Sequence, residues 1–337
     1  MSLKIIKAGI ADTIQDMGRY GWQHLGINPT GAMDRFAAQL ANTLTGNEPG
    51  AAVIEMHFPS SVYLFQQPAL LAVTGADFSA TINGEPISLL QPVVVNKNSV
   101  LQFQEPKQGA RAYLSVNGGF DIPKWLNSYS TNLKANTGGY YGRALNKDDE
   151  LPIHSFHDLS NIIAGKEKYM LPWKADTDWG DPFPNEILFL PGNEWNWLTE
   201  ESKLDFENQD FIITPNSDRM GYRLSAGILI PKVNDELVSS VVCFGTVQLL
   251  PDGRLILLMA DHQTTGGYPR IAHVITAHHS KLAQMKPGDT INFRMTDLET
   301  ATSILMKQQQ HLNLLKNASQ LKLKEFLDAS KERNNDH

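Results

Sequence analysis

"ALLAVTGADFSATINGEPI", residues 69–87, decides the fold. Short apolar runs alternate here with small and polar breaks, and the stretch ends in an Asn83-Gly84-Glu85 step. Asn-Gly tolerates positive φ at both central positions of a two-residue loop, so the step predicts a tight hairpin. The next stretch, "PVVVNKNSVLQF" (residues 92–103), follows the same pattern with its turn at Asn96 to Asn98. Farther out, "ARAYLSVNGGF", "EILFLPG", "DFIITP", "GTVQLL", "LILLMA" and "TINFRM" are further apolar runs bounded by Gly, Pro, Asn or Asp, each predicting a strand. The chain reads as mainly β.

Helices are few. "MDRFAAQLANTLTGN" places Phe36, Leu40, Ala41 and Leu44 on one face, with Gly46 as its C-terminal stop. Residues 298–330 follow a helical pattern through Ile304, Leu305, Leu312, Leu315, Leu323 and Leu327, ahead of a frayed "KERNNDH". Between residues 154 and 185 strand periodicity fades, and charge, Trp and Pro accumulate. The expected organisation is therefore a β-rich domain over 1–153, a join over 154–185, a second β-rich domain over 186–297, and a C-terminal helix and tail over 298–337. "NTGGYYGRAL" (136–145) and "TTGGYPRIA" (264–272) echo one another, a faint sign of related halves.

Composition excludes several classes. A net charge of −7, without a Lys/Arg cluster, argues against a nucleic-acid surface. The N-terminal stretch lacks the apolar core of a signal peptide, and no apolar run approaches the ~18 residues of a membrane span. The expectation is a soluble cytoplasmic protein. Cys243 is the only cysteine, so it forms no internal disulfide, and its apolar context predicts a buried small hydrophobe. Serine-hydrolase and P-loop signatures are missing. His154 and His157 are three apart and His278 and His279 adjacent, without the third ligand of a zinc site, so no metal is expected.

Three segments concentrate chemistry. "DTIQDMGRYGWQHLGINPTGAMD" (12–34) packs glycines with Arg19, Asp16 and Asp34; it is either a ligand loop or a connection pinned by pairs such as Arg19 with Asp16. "NSDRMGYRL" (216–224) spaces Arg219 and Arg223 four apart beside Asp218 and Tyr222. On a helical turn both guanidiniums would share a face and clamp a carboxylate or phosphate; the alternative is a structural Asp–Arg pair. "MADHQTTGGYPRIAHVI" (259–275) offers Asp261 as acceptor or base and His262, more often structural when alone. It also carries Gln263, Thr264, Thr265 and Tyr268 as polar contacts, and Gly266 and Gly267 for a sharp turn with amides close to a ligand. A hairpin whose threonines satisfy its own backbone is the plainer alternative.

Together "TIQDMGRYGWQHLGINPTGAMD", "GGYYGRAL", "SDRMGYRL" and "GTVQLLPDGRLILLMADHQTTGGYP" resemble the allophanate hydrolase subunit 2 family, also called biotin-dependent carboxyltransferase family proteins, over residues 13–269. The resemblance implies two domains of cyclophilin-like β-barrel character. It implies a subunit 1 partner and, for 5-oxoprolinases, a lactam-hydrolysing subunit with which 5-oxoproline is opened to L-glutamate at the expense of ATP. In urea carboxylase the equivalent region transfers a carboxyl group from biotin, and a regulatory relative counteracts a histidine-kinase inhibitor by binding it. Within the matching motifs, the chemistry of the side chains makes Asp261, Arg223, Arg219 and Tyr222 the catalytic candidates. Asp218, Gln248, Gln263, Thr264, Thr265, Gly266, Gly267, Tyr268, Arg19 and Asp34 become candidate contacts for a small amide substrate. Lys286 is followed by Pro287 and does not look like a biotin acceptor, so biotin, if used, is carried by another chain. ATP likewise has no recognisable motif here.

Overall fold

The computed structural model describes residues 2–154, 159–233 and 235–335. His157 lies outside them. Two compact units emerge, one from residues 2–18, 34–154, 159–177 and 310–335, the other from 19–33, 178–233 and 235–309. The expectation of a mainly β chain with few helices and a C-terminal helix holds.

The first unit contains two six-stranded antiparallel sheets. One runs Glu150–Pro152, Ser2–Lys7, Val62–Phe65, Val100–Phe103, Ala80–Ile82, Glu85–Pro86 in spatial order. The other runs Lys168–Met170, Val93–Val95, Ala69–Asp77, Gln108–Val116, Val53–Met56, Thr13–Gln15. Alternation along each strand assigns its faces. Leu71 and Val73 enter a core shared with Leu3, Ile5, Tyr63 and Leu101 of the first sheet. Leu70 turns the other way onto Leu159, Ile163, Leu323 and Leu327, and Ala72 onto Leu40, Leu44 and Leu312. A sheet buried on both faces needs apolar residues at consecutive positions, which is why residues 69–73 form an unbroken apolar run.

Asn83 and Gly84 have φ of 51° and 84° and join Ile82 to Glu85, the hairpin the sequence calls for. Asn98 also has positive φ, but its turn hands the chain from Val93–Val95 in one sheet to Val100–Phe103 in the other. The helix Arg35–Leu44 begins at Asp34, whose carboxylate accepts from the Ala37 amide at 2.9 Å, and Gly46 follows its end at φ 73°.

The second unit is an eight-stranded sheet in the order Thr290–Ile291, Phe211–Ile213, Gly221–Ser225, Leu255–Leu258, Thr246–Leu249, Arg270–Val274, Ile187–Pro191, Phe293–Met295. Its two outermost strands are successive in sequence, separated by Asn292 alone, so the sheet curls into a nearly closed barrel. "TINFRM" is thus two strands at opposite ends of one sheet. The interior is aromatic: Phe206 stacks on Phe293 at 4.7 Å and meets Phe189 edge-on at 4.9 Å. The C-terminal helix spans Leu298–Asn335; Ala301 and Ile304 pack in this unit, Leu312 and Leu323 in the first. Among the described residues no helix is long and apolar enough to cross a membrane.

Candidate functional site

Residues 216–224 do not form a helical turn. Asp218 accepts from the amides of Met220 (2.7 Å) and Gly221 (3.2 Å), closing a tight turn, and Gly221–Ser225 then runs as a strand. Side chains of a strand alternate, so Tyr222 and Arg223 face opposite ways. Tyr222 is buried with its hydroxyl on the carbonyls of Leu282 and Met285. Arg223 points outward and makes no ion pair among the described residues.

Arg219 is fully engaged. Its Nε and Nη2 donate to both oxygens of Asp261 at 2.9 and 3.1 Å, and Nη2 also reaches the Gly31 carbonyl at 2.6 Å. Asn28 donates to the Asp261 carbonyl at 3.1 Å, and the Asp261 amide donates to the Arg219 carbonyl. This node fastens residues 28–31 to the ends of the strands Gly221–Ser225 and Leu255–Leu258. It brings together parts of all three sequence segments. Arg19, buried in the same unit, donates to Thr30 Oγ1 at 2.7 Å. Asp16 belongs to the first unit, where it accepts from Ser128, Ser130 and the Tyr129 amide. Asp34, also in the first unit, is a helix cap.

Pairing registers align Arg223 with Ile256, Ile256 with Gln248, and Gln248 with Arg270. These four residues form one row on the outer face of the barrel, which puts Arg223 and Gln248 two strands apart, about 10 Å. The register slips beside Gln248, where Ile271 is the extra residue of a bulge. Over this row lies a two-stranded ladder, Ser240–Val241 with Thr265–Gly266. Gly266 therefore lies in a strand, and neither it nor Gly267 has the positive φ that a sharp glycine turn would use. Gly266 is small for another reason: a Cβ there would sit 2.5 Å from Gln248 Nε2. Gln248 is completely buried, its Nε2 reaches the Tyr268 carbonyl at 3.4 Å, and its Oε1 has no partner among the described residues. Gln263 and Thr265 are exposed, Thr264 half-buried, and the Thr264 carbonyl accepts from the Val242 amide at 3.3 Å. His262 is buried, with Nδ1 against the Gln263 carbonyl.

Arg270 closes the row with a contact separated by too much sequence to be read from it. Glu194 accepts from Arg270 Nε, Nη2 and backbone amide at 3.0, 2.8 and 2.8 Å. Burial pushes the Glu194 carboxyl up, but the hydrogen bonds and charge of Arg270 outweigh it and hold it below the usual range. Burial, reinforced by Arg270, pushes neighbouring His273 down, so this imidazole is neutral at pH 7. Its Nδ1 lies 3.2 Å from Thr246 Oγ1, which lies 3.3 Å from Cys243 Sγ. Cys243 is exposed, not buried: it falls in the connection between Ser240–Val241 and Thr246–Leu249, outside the barrel core. His278 is buried and pushed down to about 4 by burial and Lys281 against the opposing pull of Asp181, and His279 stacks on Phe244 at 4.3 Å. His278 Nδ1 accepts from the Leu188 amide at 3.0 Å, and no group of three potential metal ligands occurs among the described residues.

A cavity of about 580 Å³ opens beside the ladder, walled in part by Gly267, Tyr268, Trp197, Pro231 and Leu237. Sequence reading finds Tyr268 but misses Trp197, whose only signal is a tryptophan in the polar run "GNEWNW".

The model of the carboxyltransferase domain, subdomain A and B, matches residues 25–295. The chain is 36% identical over 304 residues to the 5-oxoprolinase C subunit of Haemophilus influenzae, covering 90% of this chain and 94% of that protein. It is 36% identical over 313 residues to the 5-oxoprolinase C subunit of Escherichia coli, covering 93% and 97%. The crystal structure of urea amidolyase from Kluyveromyces lactis superposes with a TM-score of 0.82 at 26% identity, over 93% of this chain but 20% of that one.

Proposed function

The chain belongs to the family of the carboxyltransferase domain, subdomain A and B, and from that premise we propose that it is the C subunit of an ATP-dependent 5-oxoprolinase. In this reading it works in the cytoplasm with a subunit 1 chain and a lactam-hydrolysing chain, opening 5-oxoproline to L-glutamate. One observation carries the assignment: two proteins of that name match it at 36% identity along almost their whole length. ATP is handled with the partner chains.

The outer-face row supplies the chemistry of this unit. Arg223 is the guanidinium left open to solvent, and it pairs with the substrate carboxylate by charge-assisted hydrogen bonds. Gln248 offers an unpartnered amide oxygen in the same row, suited to a lactam N–H once the ladder above it shifts. Asp261 acts through Arg219: it holds that guanidinium against Gly31 and so fixes residues 28–31. Arg219 and Asp261 are thus positioning residues in this account, and Tyr222 anchors the strand from inside.

The test is glutamate release from 5-oxoproline and ATP by the three chains, each omitted in turn. Activity should require all three. Arg223→Ala should fold normally and lower kcat/KM by about a hundredfold, the cost of a lost charge-assisted contact of about 3 kcal/mol; unchanged turnover removes Arg223 from the site. A second reading, carboxyl transfer to urea or a related amide with biotin carried by another chain, is supported by the family description and the urea amidolyase superposition. It requires a biotin-carrier chain that purifies with this one.

A further inference from the structure

The cleft beside the ladder carries charge of the wrong sign for an anionic substrate. Asp235 and Glu236 line it together with Trp197, Tyr268, Pro231 and Leu237. Both carboxylates are exposed, and among the described residues neither has an ion-pair or hydrogen-bond partner. The basic residues adjoining the lining segments are committed elsewhere: Lys232 to Glu200 at 2.8 Å, Arg254 to Asp252 at 2.5 Å, Arg270 to Glu194 at 2.8 Å. Two open carboxylates in one lining with two aromatic rings are complementary to an organic cation, through charge and through the negative faces of the rings.

The surroundings choose the source of that cation. Val238 is 88% and Val241 74% exposed, and Ile228 and Ile230 are exposed on the same stretch of chain. A small free amine has no use for these residues. A protein segment does, since aromatic and aliphatic anchors inside a charged rim are the usual anatomy of an interface. We propose that this cleft docks a segment of a partner subunit in which a lysine or arginine side chain enters between Trp197 and Tyr268, while flanking apolar residues cover Val238 and Val241. The proposal rests on the reading of the chain as one subunit of a complex, and it names the chemistry by which the partner is held.

The experiment titrates the full-length chain with its cognate subunit 1 chain at low and high salt and follows heat. Wild type is compared with Asp235→Asn/Glu236→Gln and with Val238→Asp, each checked for native circular dichroism. The carboxylate variant should bind about tenfold more weakly or worse at low salt and lose most of the salt dependence, because the screened charges have gone. Val238→Asp should weaken binding at both salt concentrations. At saturating subunit 1, the carboxylate variant should release glutamate at the wild-type rate. Equal affinities and equal salt slopes for wild type and carboxylate variant overturn the docking proposal, as does a wild-type chain that does not bind subunit 1. Selective loss of affinity together with no glutamate release from any mixture upholds the docking site and overturns the 5-oxoprolinase reading instead.

Discussion

Thr137–Tyr140 and Thr265–Tyr268 spell the same four residues, Thr-Gly-Gly-Tyr, in two different structural roles. In the first, Gly138 and Gly139 have φ of 67° and 54°, and a Cβ on Gly139 would sit 1.9 Å from Thr131 Oγ1. Glycine is there demanded twice, by conformation and by space. In the second, neither glycine has positive φ; Gly266 makes room for the buried Gln248 amide, and a Cβ on Gly267 would meet only ordinary contacts at 3.4 Å or more. Each segment precedes an arginine that grips a carboxylate, Arg143 with Asp149 and Arg270 with Glu194. The lesson is that a shared motif fixes neither backbone state nor reason; only its neighbours do.

Gly139→Ala should destabilise the chain by about 3 kcal/mol or more, since left-handed strain adds to a clash with a threonine whose hydroxyl is tied to the Ile14 carbonyl. A denaturation midpoint within error of wild type would contradict the account. The two arginines come next. Arg270→Ala strands a buried carboxylate and should cost about 3 kcal/mol, whereas Arg143→Ala, with a more exposed guanidinium, should cost about 1 kcal/mol. The Glu194 carboxyl is held down in the fold. The stabilisation from its pairing is therefore full above its unfolded value and lost as pH falls through the folded one. Urea melts down that pH range should show wild type converging on Arg270→Ala, and parallel curves would remove the pairing as the cause. Smallest is the contrast within the second motif. Gly266→Ala should cost about 1–3 kcal/mol and recover in part with Gln248→Ala, while Gly267→Ala should stay within about 0.5 kcal/mol.

Local signals in the sequence translate directly into structure. Asn83-Gly84 makes its hairpin, Gly46 follows the end of its helix, and the runs around 69–77, 211–213 and 255–258 become strands. Contacts between distant residues do not announce themselves. Arg219 and Asp261 are both visible as candidates, but 42 residues separate them, and nothing local says that one occupies the other. Glu194 with Arg270, 76 residues apart, is invisible for the same reason. The four-residue spacing of Arg219 and Arg223 suggests a shared helical face only until Asp218 closes a turn and Gly221 opens a strand. Spacing has meaning once the period is known, and a β context changes the period from 3.6 to 2.

The central claim is that this chain serves ring opening of 5-oxoproline rather than carboxyl transfer to urea. The most direct test offers both substrates, in parallel, to the complex assembled from this chain and the partners that purify with it, and follows ATP consumption and product. The account predicts ATP-dependent glutamate release from 5-oxoproline and no substrate-stimulated ATP consumption with urea. Urea-stimulated, biotin-dependent ATP consumption without glutamate release would contradict it.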